Sequence, residues 1–232
     1  MTSELPKFKP QALVRQTWLS QRPASSALNL TLLSLLILAL PGLLAFEQFP
    51  QWQLLFRVSG EKVFQSQEWY RLWSALFLHA DFKHLLSNSF LFFILGYFLN
   101  AYFGSLVFPL IAFVFGGLIN LVAISAMPAE VSLIGASGVV FWMGGAWLSL
   151  YLFLDRRQSW GQRWLRALGV GLVLFFPAEA FDPQVSYRSH AIGFVFGVLW
   201  GAAYFLLNKR RFRQREVIEW EWEENSNEKV GQ

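Results

Sequence analysis

The stretch "ALNLTLLSLLILALPGLLAF" (residues 27–46) contains no ionisable side chain. A helix of about 20 residues rises roughly 30 Å, which matches the hydrocarbon thickness of a bilayer. The whole chain is 55% hydrophobic and 15% charged, whereas average soluble domains are about 25% charged. The stretch is therefore predicted to span a membrane.

Similar apolar segments recur along the chain, and the length criterion predicts an all-α, polytopic bundle of six transmembrane helices. The predicted spans are residues 27–46, 82–101, 104–127, 134–153, 164–181 and 189–207. A cleaved signal peptide is the alternative for the first span, but its apolar stretch is long and no clear small-residue cleavage site follows. The chain is predicted to consist of a short cytoplasmic segment (1–26), a six-helix membrane domain (27–207) and a charged cytoplasmic tail (208–232).

Basic residues cluster on one predicted side of the membrane. One cluster precedes the first span (Lys7, Lys9, Arg15, Arg22). A second lies around the loop between the fourth and fifth spans (Arg156, Arg157, Arg163, Arg166), and a third follows the sixth span (Lys209, Arg210, Arg211, Arg213, Arg215). The positive-inside rule then makes both termini cytoplasmic. Nucleic-acid binding is the weaker interpretation of these clusters, because no soluble domain would present them.

Two segments outside the spans have a distinctive composition. Residues 47–81 are rich in tryptophan and tyrosine, which favours an external loop partly in the membrane interface. Residues 208–232 run from basic to acidic, and the simplest interpretation of this tail is a solvated helix end.

Five polar residues fall at the predicted external ends of spans: His79, His84, Asn88, Ser137 and His190. Polar groups at membrane depth are costly and are functional candidates by default. Each also has a structural interpretation: a serine bonds back to its own helix, a histidine sits at the interface, and an asparagine bonds across helices. Separate structural roles do not explain why all five share one side of the membrane.

Glycine spacing indicates close helix packing. Gly193, Gly197 and Gly201 recur every four residues in the sixth span. Gly135 and Gly138 lack side chains and so reduce the width of the fourth span near its start. Such spacing lets two helix backbones approach closely. Packing of span six on span four would bring His190 toward Ser137; the alternative is a dimer face.

These residue types suggest a serine hydrolase. A serine hydroxyl becomes nucleophilic when a base such as neutral imidazole takes its proton. The chain has no cysteine, which excludes a thiol nucleophile and thiolate zinc sites. We predict a Ser137–His190 dyad without a carboxylate, because only Asp182 lies near His190 in sequence.

Four motifs in this order resemble those of the rhomboid family of intramembrane serine proteases. They are "EWYRLW" (68–73), "HADFKHLLSN" (79–88), "GASG" (135–138) and "HAIGFVFG" (190–197). The resemblance covers about residues 30–207. It implies that Ser137 is the nucleophile and His190 the general base. It further implies an oxyanion hole formed by Asn88, His84 and the Ser137 backbone N–H.

The resemblance also implies supporting roles. His79 would be structural, Glu68 and Arg71 would brace the first external loop, and residues 178–188 would cap the site. Span five would flank the path by which a substrate helix enters. The family often has tyrosine one turn after the serine, stacked on the catalytic histidine, and this chain has Phe141 there.

The resemblance implies transmembrane proteins as substrates, contact with membrane lipid, no cofactor, no metal and no nucleic acid. It favours the compact bacterial type, in the inner membrane, with the active site open to the external side. The loop 128–134 is expected to dip in before span four, because irregular backbone at depth must be surrounded by protein or water.

Two other functions compete with a protease. A rhomboid-like pseudoprotease would bind transmembrane clients without cutting them, but it would normally lack the serine or the histidine. A transporter often carries intramembrane carboxylates or inverted repeats, whereas Asp81, Asp155 and Asp182 fall at or beyond span ends. The sequence also lacks the H-E-x-x-H of zinc proteases and an aspartate pair within spans.

Overall fold

The structure is a computed structural model that describes residues 9–175 and 186–223. Its α-helices are, in chain order, α1 (Ala27–Glu47), α2 (Trp52–Phe56), α3 (Arg71–Ser74), α4 (Phe82–Phe103), α5 (Ala112–Ser125), α6 (Ser137–Leu154), α7 (Trp160–Phe175) and α8 (Tyr187–Arg213). Its strands are β1 (Lys9–Gln16), β2 (Val58–Ser59), β3 (Ser132–Leu133) and β4 (Val217–Glu223). Short 3₁₀ or π segments cover Trp18–Ser20, Glu61–Gln65, Ala75–Phe77 and Leu106–Ile111.

Five of the described helical segments are long and apolar enough to cross a bilayer: α1, α4, Leu106–Ser125, α6 and α8. The chain is therefore an integral multi-pass membrane protein with a helical bundle, as the sequence predicts. The predicted span 164–181 begins within α7, but its last residues lie outside the described part of the chain. The count of six spans thus stays a prediction.

Helix α6 forms the centre of the bundle. Trp142, Met143, Ala146 and Leu150 on this helix have no exposed surface. A helix that is apolar and buried on several faces must be surrounded by other helices. Helices α4, α5, α7 and α8 pack against it, with α8 making the most extensive contact, and α1 packs on α4.

The glycines of α8 allow it to run parallel to α6 at very close range. A Cβ at Gly193 would collide with the carbonyl oxygen of Gly138, and one at Gly197 would collide with that of Trp142. One turn further, a Cβ at Gly201 would lie 2.8 Å from the carbonyl oxygen of Ala146. The glycine repeat is therefore used inside the monomer, as the preferred interpretation of its spacing predicts.

The chain before α6 is held by backbone pairing. Strand β3 pairs antiparallel with β2, with Val58 opposite Leu133 and Ser59 opposite Ser132. The Glu61 N–H donates to the carbonyl of Ala129 at 2.9 Å. Part of the backbone of the loop predicted at 128–134 is thus hydrogen-bonded to the first inter-span segment, and irregular backbone in a membrane protein needs such partners.

The carboxyl-terminal tail differs from its sequence interpretation. Helix α8 continues past the predicted residue 207 to Arg213, and residues 217–223 then form β4, which pairs antiparallel with β1. The interpretation of the tail as a solvated helix end is therefore wrong for these residues. The partner strand lies about 200 residues earlier, so local pattern alone did not reveal it.

Candidate active site

The site lies where the amino-terminal ends of α4, α6 and α8 meet. Helix α6 begins at Ser137, directly after a turn in which Gly135 has φ +114°. Only glycine adopts such a φ without strain. The Gly135 N–H donates to the carbonyl of Ala75 at 2.9 Å, and this bond fixes the turn that presents Ser137.

His190 lies in the first turn of α8 beside the first turn of α6. Its ring stacks on the ring of Phe141, with centroids 4.1 Å apart and planes 10° from parallel. Phe141 follows Ser137 by one helical turn and therefore shares its face of α6. The contact between Gly193 and Gly138 fixes the same two helix turns from the backbone side.

The Nε2 atom of His190 is buried and makes no hydrogen bond within the described residues. The hydrogen bond expected between Ser137 and His190 is therefore not made through Nε2 in this structure. Catalytic hydrogen bonds are often long in the absence of substrate and tighten when substrate binds. A buried imidazole nitrogen without a partner is unusual, and it keeps its hydrogen-bonding capacity for another group.

Helix α4 brings His84 and Asn88 to the same region. Asp81 caps this helix by accepting a 2.7 Å hydrogen bond from the His84 N–H. The His84 ring lies against the turn before Ser137, because a Cβ at Gly135 would be 2.9 Å from its Cε1. Asn88, one turn along the helix, is buried, and its amide nitrogen has no partner in the described part of the chain.

His79 supports the turn that carries the serine. Its Nε2 accepts a hydrogen bond from the N–H of Ala136 at 3.4 Å, and its ring meets that of His84 edge-on at 5.3 Å. Gln53 donates to the His79 carbonyl at 2.9 Å. Burial, reinforced by the charge of His84, lowers the pKa of His79 to about 3. His79 is therefore neutral at physiological pH, which its role as acceptor requires.

Glu68 and Arg71 lie outside the cluster, within the first inter-span segment. Arg71 Nε donates to Glu68 at 2.5 Å, and its guanidinium also donates to the carbonyls of Leu54 at 3.3 Å and Arg57 at 3.0 Å. The hydrogen bond from Arg71 lowers the pKa of the Glu68 carboxyl. These contacts join separate turns of the segment, as a bracing role requires.

Three contacts at the start of α8 were not predicted from the sequence. Tyr187 meets the His190 ring edge-on at 6.1 Å, Ser186 caps the helix by accepting from the Ser189 N–H at 3.4 Å, and Arg188 donates to the carbonyl of Ala126. Tyr187 precedes His190 by three residues, and this helical spacing was the available signal. Most of the predicted cap, residues 178–185, lies outside the described residues.

The assembled groups suit acyl transfer. A hydroxyl, an imidazole, an amide and a helix-start N–H lie at one end of the bundle, which are the group types of nucleophilic catalysis with oxyanion stabilisation. Within residues 9–175 and 186–223, no three His, Asp or Glu side chains converge as metal ligands would.

Two comparisons with known proteins found similar sequences. Residues 66–207, more than half of the chain, match the family model of the Rhomboid domain. The chain is also 29% identical over 146 residues to a Bacillus subtilis (strain 168) protein named "Putative rhomboid protease YdcA". That alignment covers 62% of this chain and 72% of the relative.

Proposed function

The chain belongs to the rhomboid family, and on this premise we propose that it is a serine endopeptidase that cleaves membrane proteins in or near their transmembrane segments. Ser137 is the nucleophile and His190 the general base. The proposal rests mainly on one observation, the stacking of the His190 ring on Phe141 one turn after Ser137.

The reaction proceeds in two halves. As the Ser137 oxygen attacks the scissile carbonyl, His190 takes the hydroxyl proton, and it later gives that proton to the leaving amine. Water then enters, loses a proton to His190 and attacks the acyl carbonyl; as the bond to the Ser137 oxygen breaks, His190 returns the proton to that oxygen and the acid is released. A dyad without a carboxylate needs its imidazole oriented by other means, and the parallel Phe141 ring supports that function.

The developing oxyanion would be bound by three donors. The N–H of Ser137 lies at the start of α6, where backbone donors lack partners within the helix. The buried Asn88 amide nitrogen has no partner among the described residues, and His84 lies against the turn before the serine. Such preorganised donors stabilise negative charge where it forms. The absence of the tyrosine hydroxyl at Phe141 leaves the ring platform intact.

The substrates would be transmembrane proteins whose helices unwind near the cut. Positive charge at both termini and in the loop after α6 supports a cytoplasmic location for that end of the bundle. The site would then open on the opposite, external side, in the inner membrane of a bacterium. This placement lets water reach the site, which hydrolysis requires.

The decisive experiment measures cleavage of a model transmembrane substrate by the purified protein in proteoliposomes. Ser137→Ala and His190→Ala should each abolish cleavage, whereas Ser149→Ala, a buried serine three turns further along α6, should leave cleavage measurable. A fluorophosphonate probe should label the parent and not Ser137→Ala. Cleavage by Ser137→Ala at the parent rate would refute the proposal.

A second measurement separates the protease from a client-binding pseudoprotease. Co-purification of substrate with the parent, without any cleavage or probe labelling, would favour the pseudoprotease. Correct folding of each variant is checked by its thermal unfolding in the same detergent.

A further inference from the structure

Strands β1 and β4 form a two-stranded sheet, here called the terminal ribbon, at the end of the bundle opposite the candidate active site. Its register places Ala12 opposite Trp220, Val14 opposite Ile218, and Leu13 opposite Glu219. The ribbon joins the segment before the first span to the segment after the last. A two-stranded ribbon alone is only marginally stable in water, so its environment matters.

The ribbon has two different faces, because side chains alternate along a strand and directly opposed residues share a face. One face carries Ala12, Val14, Ile218 and Trp220 and is called the apolar face. Ile218 is 47% exposed and Trp220 is 63% exposed, so nothing in the described chain covers them. An exposed apolar surface of this kind marks a contact with a partner or a membrane.

The other face, called the polar face, carries Leu13 opposite Glu219 and Gln11 opposite Glu221, and both of these glutamates are paired with a cation. Glu219 and Glu221 point to this side, and Arg15 pairs with both of them, at 2.7 Å to Glu219. The acidic side chains of β4 are therefore partly neutralised and directed away from the apolar face. The ribbon as a whole is amphipathic.

Both strands are anchored where the helices leave the membrane. Strand β4 begins four residues after the end of α8 at Arg213. Shortly after β1, Trp18 donates from its indole to the carbonyl of Tyr102 near the end of α4, at 2.8 Å, and packs on Phe212 with centroids 5.0 Å apart. Helix α8 has 27 residues, or about 40 Å, which already exceeds the hydrocarbon core. The ribbon therefore starts at the level of the lipid headgroups.

The surroundings of the ribbon are strongly basic. Lys209, Arg210, Arg211 and Arg215 are exposed at the end of α8 and in the short connection to β4. Exposed cations next to a bilayer attract anionic headgroups, and tryptophan favours the membrane–water interface. The position of the ribbon, its basic surroundings and the exposed Trp220 all fit a bilayer with anionic headgroups as the partner of the apolar face.

We propose that the terminal ribbon lies on the membrane surface, with its apolar face in the headgroup region of a bilayer that contains anionic lipids. The polar face, with Arg15, Glu219 and Glu221, faces the water. The ribbon thus anchors both termini to the membrane independently of any enzymatic activity.

Because the chain has no cysteine, single-cysteine variants can be spin-labelled without further changes. The variants are Trp220→Cys and Ile218→Cys on the apolar face, and Gln11→Cys and Glu221→Cys on the polar face. They are reconstituted in vesicles of phosphatidylcholine with phosphatidylglycerol. Power-saturation EPR then compares the collision of each label with oxygen, which concentrates in lipid, and with a nickel chelate, which stays in water.

Labels at 218 and 220 should collide more with oxygen, and labels at 11 and 221 more with nickel. In vesicles of phosphatidylcholine alone, the labels at 218 and 220 should shift toward nickel. The double variant Gln11→Cys/Glu221→Cys places two labels at directly opposed positions of β1 and β4 and retains Trp220. Strong dipolar broadening between these labels verifies that the ribbon is formed.

Equal exposure to nickel on both faces, with the dipolar broadening present, would overturn the proposal. Shielding of the 218 and 220 labels from both reagents, together with coupling between copies, would also overturn it. That second result would mean that another copy of the chain covers the apolar face.

Discussion

The two ends of the helical bundle differ in how their polar groups are paired. At the candidate active site, the Asn88 amide nitrogen and His190 Nε2 are buried without partners in the described chain. At the other end, Arg156 pairs with Glu216 at 3.1 Å, and Asp155 accepts from Arg157 at 2.6 and 3.1 Å. Thr17 Oγ1 and Arg163 Nε at that end are also buried without a partner among the described residues, so the two ends differ in their ion pairs and not in whether every polar atom is satisfied.

This difference separates function from stability. An unpaired buried polar group costs free energy, so its presence favours a role in binding or catalysis. Paired charges at the edge of a membrane protein stabilise helix ends and loops at modest gain. Substitutions at the site end should therefore change the reaction rate, and substitutions at the other end should change activity very little.

The largest expected effect concerns two asparagines on α4. Asn88→Ala should slow cleavage by about 10²- to 10³-fold, as loss of an oxyanion donor does, without loss of thermal stability, because its amide nitrogen is unpaired. Asn100 instead donates to the Phe108 carbonyl at 2.7 Å, so Asn100→Ala should lower the unfolding temperature. Parallel rate and unfolding measurements check both, and a parent-like rate for Asn88→Ala would remove it from the oxyanion hole.

The next effect tests the close packing of α6 and α8. Gly193→Ala should destabilise the protein by about 1–3 kcal/mol, because its methyl group meets the Gly138 carbonyl and the helices must separate. The matched control is Gly169→Ala in α7, where a Cβ meets nothing within 4 Å. Unfolding temperatures in detergent measure both, and equal values for the two variants would contradict this packing.

A smaller effect, which grows with acidity, concerns His79. Its folded-state pKa of about 3 lies below the ordinary value of 6.5, so the unfolded chain binds the extra proton first. Its contribution to stability is thus complete above pH about 6.5 and is lost progressively as the pH falls toward 3. His79→Gln should flatten this part of the pH profile of the unfolding temperature; an unchanged profile would exclude His79 as its cause.

The smallest effect is expected at the opposite end of the bundle. Arg15→Gln removes two exposed ion pairs from the terminal ribbon, and exposed pairs contribute little because water and salt screen them. Cleavage of the model substrate should match the parent rate. A large loss of activity would show that the two ends are coupled.

Several parts of the molecule were predictable because their signals are local. Apolar length located the long helices, with α1, α4 and α6 ending within a few residues of prediction. The four-residue glycine repeat predicted the packing of α8 on α6. The i, i+4 relation of Ser137 and Phe141, together with the family resemblance, predicted the ring stacked on His190.

Other features depended on partners far away in the chain. The β2–β3 pair joins residues about 75 apart, and the terminal ribbon joins residues about 200 apart. The support that His79 gives to Ala136 likewise links two separate loops. Neither residue's local sequence indicates the other, so only the folded chain shows these contacts.

The sequence by itself determined that this is an integral membrane protein. The length and apolarity of a segment set its free energy of transfer into lipid without reference to other segments. It also predicted which side chains are candidates for the chemistry. Only the tertiary structure decided that His79 Nδ1, the Asn88 amide nitrogen and His190 Nε2 are buried at the candidate active site without partners among the described residues, and that strands β1 and β4 pair with each other. Those outcomes depend on close packing between distant segments, which no local pattern encodes.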